Sequence, residues 1–363
     1  MALIKCVDRY VGLSVIRGIL LAWAVLITLL GVLGFVGELR SSQGSYGPLQ
    51  AIWFVLMTTP RQAYQTFAVA ALVGALLGAG GLAAHHELVA FRAAGVSRLR
   101  LSIAAILGCL LLLVPVMWLG EYLAPQVEQQ ARTYRLLHQD GRIHLGGTGG
   151  LWVREGNDIV NVRSPIITTE GPRDQVRFED VVVYRLGDKR TLENITRARA
   201  AVPGSDGWSL KDVRQLAITD QAINQSASAE AAWNTKVDPG LLDSAVTRPR
   251  YLSIRALNTY VNYLESNGQD SRQYGSALWE KILFPVTVLA LILAGMPFVF
   301  GSARQQNLGL RLFIGIALGT LYTLFSRSFS NFGDAYGLPV VISSAIPIVL
   351  LVWFAFWALR RTP

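Results

Sequence analysis

The sequence is poor in charged residues. Asp, Glu, Lys and Arg make up only 16% of its 363 residues, against roughly a quarter in ordinary soluble proteins. Hydrophobic residues make up 52%, and there are nine tryptophans. This composition excludes a disordered chain and argues against a water-soluble globular enzyme. It is typical of a protein that crosses a membrane several times, with room for a soluble insert.

Cysteine and histidine are also scarce, and the usual catalytic motifs are missing. The two cysteines, Cys6 and Cys109, suggest no disulfide, and the four histidines suggest no metal site. None of the five lysines follows a glycine, as a Walker A loop requires, and there is no Gly-x-Ser-x-Gly elbow. His86-Glu87 begins a zinc-protease motif, but Ala90 stands where the second histidine would be. We therefore expect no enzyme activity and no bound cofactor.

Charge-free stretches predict six membrane-spanning helices. A helix needs about 20 residues to cross ~30 Å of hydrocarbon. The fifth stretch has only 15 residues, so it must continue through Arg327 to about Gly333. Three stretches come before a polar insert and three after it: 18–37, 62–84, 101–120, 282–303, 312–326 and 335–359.

Lys and Arg are distributed unevenly between the short loops. With the N-terminus inside, ten lie on the inner side and two, Arg40 and Arg61, on the outer side. By the positive-inside rule both termini are then cytoplasmic and the insert lies outside. The ten inner residues are Lys5, Arg9, Arg17, Arg92, Arg98, Arg100, Arg304, Arg311, Arg360 and Arg361.

The net charge of +9 is concentrated beside the predicted spans. Residues 122–281 hold 20 Lys and Arg against 19 Asp and Glu, so the rest of the chain carries +8 of the +9. A nucleic-acid-binding protein would carry the excess on its soluble domain. We therefore expect no nucleic acid partner.

The insert is predicted to be mostly β-strand. A Glu-Gly-Asn turn separates 151–154 from 158–162, and a turn at 187–189 separates 176–186 from 191–202. Each pair predicts a β-hairpin. A further strand begins at Gly207-Trp208, and Trp152, Trp208 and Trp233 are expected in the core. Such spacing suits an all-β sandwich or jelly roll.

Helices are predicted at both ends of the insert. Residues 124–137 continue the third span outward, and a second helix begins at the N-cap Ser253 and stops at Gly268. The predicted organisation is spans one to three in 1–122, a β insert with flanking helices in 123–280, and spans four to six in 281–363.

The inner loop between spans two and three predicts a short amphipathic helix, at about residues 85–96. Two hydrophobic residues share one side of it, two charged residues lie beside them, and a glycine stops it. One interpretation is a peg that docks into a cytoplasmic partner. The other is an ordinary loop lying on the membrane surface. The residues concerned are Glu87, Leu88, Phe91, Arg92 and Gly95.

Five arginines are candidates for anion contacts near the outer side. Arg40 and Arg61 border spans one and two, and Arg132 and Arg135 share a face of the extension of span three. Guanidinium groups suit phosphate, although such residues can also be solvated anchors at the membrane surface. Arg327 lies within span five, where a charge faces a cavity or a partner, or snorkels to the outer surface.

Several short segments resemble, in their order and spacing along the chain, those of the lipopolysaccharide-export permease family LptF/LptG. They are Asp8-Arg9-Tyr10, Gln43-Gly44-Ser45-Tyr46, 70–78, Glu87-Leu88, Ala94-Gly95, Ala124-Pro125-Gln126, Glu128-Gln129, Ala131-Arg132, 266–270, Trp279-Glu280-Lys281 and 336–339. The resemblance covers essentially the whole chain. The Gln-Gly-Ser-Tyr and Gly-Gln-Asp turns favour the LptG branch over LptF.

The resemblance implies a subunit of an ABC transporter in the bacterial inner membrane, with a periplasmic β-jelly-roll domain. Two related permeases pair, an LptF-like one being the partner here, and their first and fifth spans line a cavity. An LptB-like ATPase dimer, which uses ATP and Mg²⁺, binds their coupling helices. Lipopolysaccharide then leaves the inner membrane for an LptA-like periplasmic bridge, with an LptC-like bitopic protein as a further partner.

The resemblance also assigns roles to individual residues. Glu87 matches the acid of the coupling helix. Arg61, Arg132 and Arg135 match basic positions near the lipid A headgroup, and Arg40 matches one just past span one.

The chain departs from the family pattern in span one. The family often has Lys at the position of Gly34 and a second basic residue at the position of Ser41. We hypothesise that Arg327 supplies compensating charge from span five.

Three alternatives remain at this point. The chain could be the LptF-type paralogue, or a membrane scaffold that transmits force without binding lipid. A secondary transporter would need ionisable groups near mid-membrane, and the predicted spans one, three, four and six contain none.

Overall fold

The computed structural model divides the chain into two compact units. The first comprises Met1–Ser42, Gly47–Arg132 and Arg272–Pro363, and the second spans Thr133–Ser271. The second unit is shorter at both ends than the predicted insert, because the helices of spans three and four extend further. Structure is described here for residues 2–40, 47–139, 151–155, 157–168, 175–187, 191–204, 207–219, 222–233, 249–300 and 308–361. The predicted features at Ser41, 43–46, 188–189 and Arg304 lie outside these residues.

Nine α-helices occur in the described residues. Six membrane spans are formed by helices that are long and apolar enough to cross a bilayer, which confirms the predicted number of spans. They are formed by α1, α2, α4 with the start of α5, α7, α8 and α9. The bounds are α1 Ala2–Arg40, α2 Pro48–Ala84, α3 Glu87–Ala93, α4 Arg98–Trp118, α5 Ala124–Gln139, α6 Ile254–Ser266, α7 Arg272–Phe300, α8 Leu308–Tyr336 and α9 Val340–Arg361.

The second span begins much earlier than predicted. Pro48 occupies the first turn of α2, where its missing N–H costs nothing, and the Gln50 side chain accepts a hydrogen bond from the Gly47 N–H at 3.0 Å. Ala51 and Phe54 are buried before the charged residue is reached. The helix that contains the second span therefore begins well before residue 62, and Arg61 lies inside it.

Glycines let α1 and α2 approach backbone to backbone. A Cβ at Gly18 would overlap the carbonyl of Gly74, and one at Gly78 would overlap the carbonyl of Ser14. The Ser14 hydroxyl donates to the Gly78 carbonyl at 3.0 Å. Small residues spaced four apart are a common means of close helix packing in membranes, where a hydrophobic force between helices is lacking. The run 70–78 therefore holds span one in place.

The spans differ in how much of their surface the chain itself covers. Helix α2 contacts α1, α4, α7 and α8, and 72% of its most apolar stretch is buried. The corresponding fractions are only 11% for α1 and 17% for α8, the fifth span. Spans one and five therefore leave most of their apolar side chains uncovered within this chain.

The second unit contains a six-stranded antiparallel sheet, so the all-β prediction for the insert is confirmed. The strands are β1 Leu151–Glu155, β2 Asp158–Thr168, β3 Gln175–Leu186, β4 Leu192–Gly204, β5 Gly207–Thr219 and β6 Ala222–Trp233. Both predicted hairpins are present, as β1–β2 and β3–β4. However, the described strands pair in sequence order, which differs from the Greek-key order of a jelly roll. Turns in the sequence locate hairpins, but they do not specify how hairpins connect.

An irregularity crosses the middle of this sheet. Asp180 in β3 and Asp212 in β5 both have positive φ, at 53° and 52°. Beyond them the buried side of each strand changes, so Phe178 and Val181 are both buried although they are three residues apart. The Phe178 ring stacks on Trp208, with centroids 4.5 Å apart. Burial of Trp208 and Trp233 confirms their prediction as core residues, while the Trp152 side chain lies outside the described part.

Helix α6 has the ends that the sequence predicts. The Ser253 hydroxyl accepts a hydrogen bond from the Ala256 N–H at 3.1 Å, and Gly268 has φ +64° just past the end of the helix. One face is buried through Leu257 and Leu264. The predicted N-cap and stop are therefore confirmed.

Candidate functional site

The loop between α2 and α4 forms a short, well-defined helix, α3. His86 enters it with φ 61°. At the other end the Gly95 N–H donates to the Arg92 carbonyl, and the Val96 N–H donates to the Phe91 carbonyl, both at 3.0 Å. With Gly95 at φ +87°, this is a Schellman ending, which satisfies carbonyls at the end of a helix. The predicted stop at Gly95 is confirmed.

The hydrophobic side of α3 packs on the protein's own spans. Leu88 is only 4% exposed and belongs to the main core of the bundle. The half-buried Phe91 ring meets the Tyr10 ring of α1 edge to face, with centroids 6.3 Å apart. Leu88 therefore anchors α3, and its side chain faces the bundle rather than the open surface of the loop. Amphipathicity reveals that a face is covered, but it does not reveal by what.

The opposite side of α3 is open. Val89 is 52% exposed, and Arg92, Ala93 and Gly95 are also exposed. Val89, Arg92 and Ala93 share a face by their spacing. Glu87, in the first turn, is half-buried and lies close enough to the Tyr10 hydroxyl to interact with it. The surface available to a partner is therefore small, mixed in character and C-terminal to Glu87.

An ion pair fixes the adjacent ends of α1 and α4. The Arg100 guanidinium binds both oxygens of Asp8, at 3.2 Å through Nε and 2.9 Å through Nη2. This bidentate geometry holds both groups in one orientation. Helix α3 is thus attached to an end of the bundle where an ion pair holds α1 and α4 together. We refer to this end of the bundle as the α3 end.

Two of the candidate arginines share one buried carboxylate. Arg61 on α2 donates to one oxygen of Glu128 at 2.8 Å, and Arg132 on α5 donates to the other at 3.0 Å. The Glu128 side chain is only 4% exposed, whereas Arg61 and Arg132 are 20% and 42% exposed. Arg61 also donates to the Gln65 side chain at 3.0 Å. The cluster carries one excess positive charge and keeps part of each guanidinium accessible.

The remaining candidate arginines are placed separately. Arg135 is half-buried, one turn after Arg132 on α5. Arg40 is exposed in the last turn of α1, where the helix dipole favours a cation. Arg327 is exposed on α8, among the apolar side chains that this span leaves uncovered.

A second polar group lies just beyond the predicted ends of spans three and four. Glu121 falls in a single π-helical turn, Leu119–Leu123, that joins α4 to α5. Lys281 on α7 is 8% exposed, and its ammonium lies 5.6 Å from the centroid of the Tyr64 ring. The helices of spans three and four therefore continue past their predicted ends and include these two ionisable residues. A charge-free criterion ends a span at such residues, although a helix continues through them when the charge is compensated.

Fold and site together define a membrane protein of six spanning helices. A β insert separates the third and fourth spans, and a short amphipathic helix joins the second and third. The profile of the family "Lipopolysaccharide export system permease LptF/LptG" matches residues 9–361. The chain therefore belongs to this family of permeases, and it is a multi-pass inner-membrane protein.

Two relatives are of the LptG type. The chain is 32% identical over 358 residues to the lipopolysaccharide export system permease protein LptG of Escherichia coli (strain K12), covering 98% of each chain. It is also 32% identical over 362 residues to the LptG protein of Haemophilus influenzae, covering 99% of each. These similarities favour the LptG branch over LptF for this chain.

Proposed function

We propose that the chain is the LptG-type permease subunit of an ABC transporter that extracts lipopolysaccharide from the inner membrane and passes it to a periplasmic bridge. The family match over residues 9–361 supports the substrate. The structural observation that carries the proposal is the uncovered surface of α1 and α8. A permease that pairs with a relative and encloses a lipid between the two must leave such surface free.

The proposed partners follow from this role. An LptF-like permease covers part of α1 and α8, and an LptB-like ATPase dimer binds at α3. An LptC-like bitopic protein and an LptA-like bridge receive the lipid. The chain itself holds no ATP and catalyses no reaction, because ATP and Mg²⁺ are used by the ATPase. The α3 end and both termini lie in the cytoplasm, and the β unit lies in the periplasm, as the distribution of Lys and Arg supports.

Lipopolysaccharide is bound by two kinds of surface. Acyl chains contact exposed apolar residues such as Val32 on α1 and Phe325 on α8, which are 56% and 44% exposed. Phosphates contact the accessible parts of Arg61 and Arg132, whose orientation the Glu128 carboxylate fixes. Arg40, Arg135 and Arg327 are further candidates for phosphate contacts, each at its own place in the chain.

The ATPase transmits its movement to the permease through the open side of α3. Because Leu88 is part of the bundle core, a push on Val89 and Arg92 reaches the spans directly rather than bending a loose loop. Glu87 and Gly95 set the beginning and end of the rigid segment, and Phe91 connects it to α1 through Tyr10.

Photocrosslinking tests the transport proposal. A photoreactive residue is placed at Val32 or Phe325, with Leu111 on α4, which is 68% exposed, as the control position. We expect lipopolysaccharide adducts at the first two positions that decrease when ATP is added, and no ATP-dependent change at Leu111. Adducts to protein alone at Val32 and Phe325 would instead favour a scaffold.

Co-purification tests the coupling proposal. Val89→Asp places a charge on the open side of α3 without touching the core, while Val89→Leu keeps the surface apolar. We expect the ATPase to be lost from the complex in Val89→Asp and in Glu87→Lys, and retained in Val89→Leu. An ATPase that stays bound to Val89→Asp would contradict docking at this surface.

A further inference from the structure

Arg311 is a buried cation that the proposed function leaves unused. It lies in the first turn of α8 and is only 6% exposed. Its Nη1 donates to the carbonyl of Gly80 on α2, and its Nε–H has no hydrogen-bond acceptor among the described residues. A snorkelling arginine would keep its charged group in water, and this one does not. The cost of burying it calls for an explanation at its contact with α2.

The position of Arg311 is favoured by α2 and disfavoured by its own helix. A cation in the first turn of a helix opposes the helix dipole, whereas a cation beside the last turn of a helix is stabilised by it. Gly80 lies one turn before Ala84, where α2 ends. The arginine of span five thus gains its favourable interaction from the end of span two, immediately before α3.

The absence of a side chain at Gly80 leaves the space that Arg311 occupies. A Cβ at Gly80 would lie 2.8 Å from both Cδ and Nη1 of Arg311, whereas a Cβ at the next residue, Gly81, would meet nothing within 4 Å. The contacts of Gly315 with Leu76 and of Gly319 with Val69 on α2 are apolar, and apolar contacts are not directional. The guanidinium–carbonyl hydrogen bond is directional and fixes the register between the two helices at this end.

We propose that Arg311 is a positioning residue that makes the start of span five follow the end of span two, so that movement imposed on α3 reaches the span that contacts lipopolysaccharide. The inference rests on the proposed function, because it assumes that a partner moves α3. Without this contact, α3 and the end of α2 move while the start of α8 lags behind. ATP hydrolysis then continues, but less of it is converted into lipid release.

The test compares Gly80→Ala with Gly81→Ala in the complete complex, reconstituted with its paired permease and ATPase. Both changes replace a glycine in the same helical turn, but only the first occupies the space of Arg311. Arg311→Met removes the charge without adding volume beside α2, and Arg311→Lys retains a donor. Spin labels on cysteines introduced at Ala94, just after α3, and at Leu310, at the start of α8, report the distance between these two segments with and without ATP.

We expect Gly80→Ala and Arg311→Met to bind the ATPase and hydrolyse ATP normally. Lipopolysaccharide released per ATP should fall about tenfold, which corresponds to ~1.4 kcal/mol, and the label distance should change with ATP where the wild type keeps it constant. Gly81→Ala should behave as the wild type, and Arg311→Lys should recover most of the release. If Gly80→Ala does not assemble, Arg311→Met decides.

Three results would overturn the inference. Release per ATP could stay at the wild-type value in Arg311→Met, Gly80→Ala and Gly81→Ala could be impaired equally, or Arg311→Met could fail to assemble, which would make Arg311 a requirement for folding. A wild-type complex that binds no ATPase or releases no lipopolysaccharide would instead refute the proposed function.

Discussion

At the scale of single residues, the arrangement of charge matters more than its amount. Glu128 lies between Arg61 and Arg132, and its burial makes it the structural centre of that cluster. The sequence identified both arginines as candidates, but it gave no sign that one carboxylate orients them. Their separation of some 70 positions along the chain hides a contact that only the packing of α2 against α5 creates.

Removing Glu128 should destabilise the first unit. In Glu128→Ala the Arg61 and Arg132 guanidinium groups lose the hydrogen bonds that they donate to Glu128, and we expect a loss of about 1–3 kcal/mol in the free energy of unfolding. Thermal unfolding of the purified protein in detergent measures this. Gln130→Ala, at an exposed position on the same helix, should unfold at the wild-type temperature, and equal stability of the two variants would contradict the role given to Glu128.

One pair in the β unit should show a shifted titration. The Lys211 ammonium, together with the Ser209 hydroxyl, holds the pKa of Glu230 below its ordinary value. A carboxylate with a lowered pKa adds stability above its ordinary pKa and loses that contribution as the pH falls through the folded-state pKa. Lys211→Met should therefore raise the pKa of Glu230 in a carbon-13 NMR titration. An unchanged pKa would show that Lys211 does not act on this carboxylate.

At the scale of elements, the number and kind of segments could be predicted from the sequence. Hydrophobic length predicts the spans, and turn residues predict the hairpins. The predicted bounds are less accurate for α2 and α7, because charge-free stretches stop at Arg61 and Lys281 whereas the helices continue through both residues. The role of α3 was half predictable, since the sequence shows two faces but not which one the bundle covers.

Truncation of Leu88 should loosen α3, whereas truncation of its neighbour Val89 should not. Leu88→Ala removes a core contact, worth about 2–5 kcal/mol in a well-packed site, and should release α3 from the bundle. Val89→Ala shortens a side chain that is 52% exposed and lies outside the core. Hydrogen exchange of the α3 amides should rise in Leu88→Ala and stay near the wild type in Val89→Ala, and equal exchange in the two variants would show that Leu88 does not anchor the helix.

The contact of α1 with α2 should tolerate no added side chain. Gly18→Ala forces the two backbones apart, and we expect a loss of about 1–3 kcal/mol. Gly31→Ala, where a Cβ meets nothing within 4 Å, should be neutral or stabilising because alanine favours helix over glycine. Detergent melting curves compare the two, and equal melting temperatures would contradict the close packing at Gly18.

At the scale of the whole molecule, the low coverage of α1 and α8 leaves apolar surface that a paired permease can cover. The chain buries α2 thoroughly and leaves spans one and five exposed, so we expect these two to be protected by a second permease. Cysteines introduced at Leu29 and Leu321, which are 53% and 66% exposed, should react with a membrane-permeant thiol reagent in the isolated chain. Co-assembly with the paired permease should slow the reaction at these sites but not at Leu111.

Helix α2 packs more closely against the first half of span one than against the second half. A Cβ added at Gly18 would overlap the backbone of α2, whereas one added at Gly34 would meet only the side chains of Gln62 and Val55 within 4 Å. Chimaeras between related permeases should reflect this difference. The second half of span one should be exchangeable by itself, whereas a graft of the first half should succeed only when the facing stretch of α2 is transplanted with it.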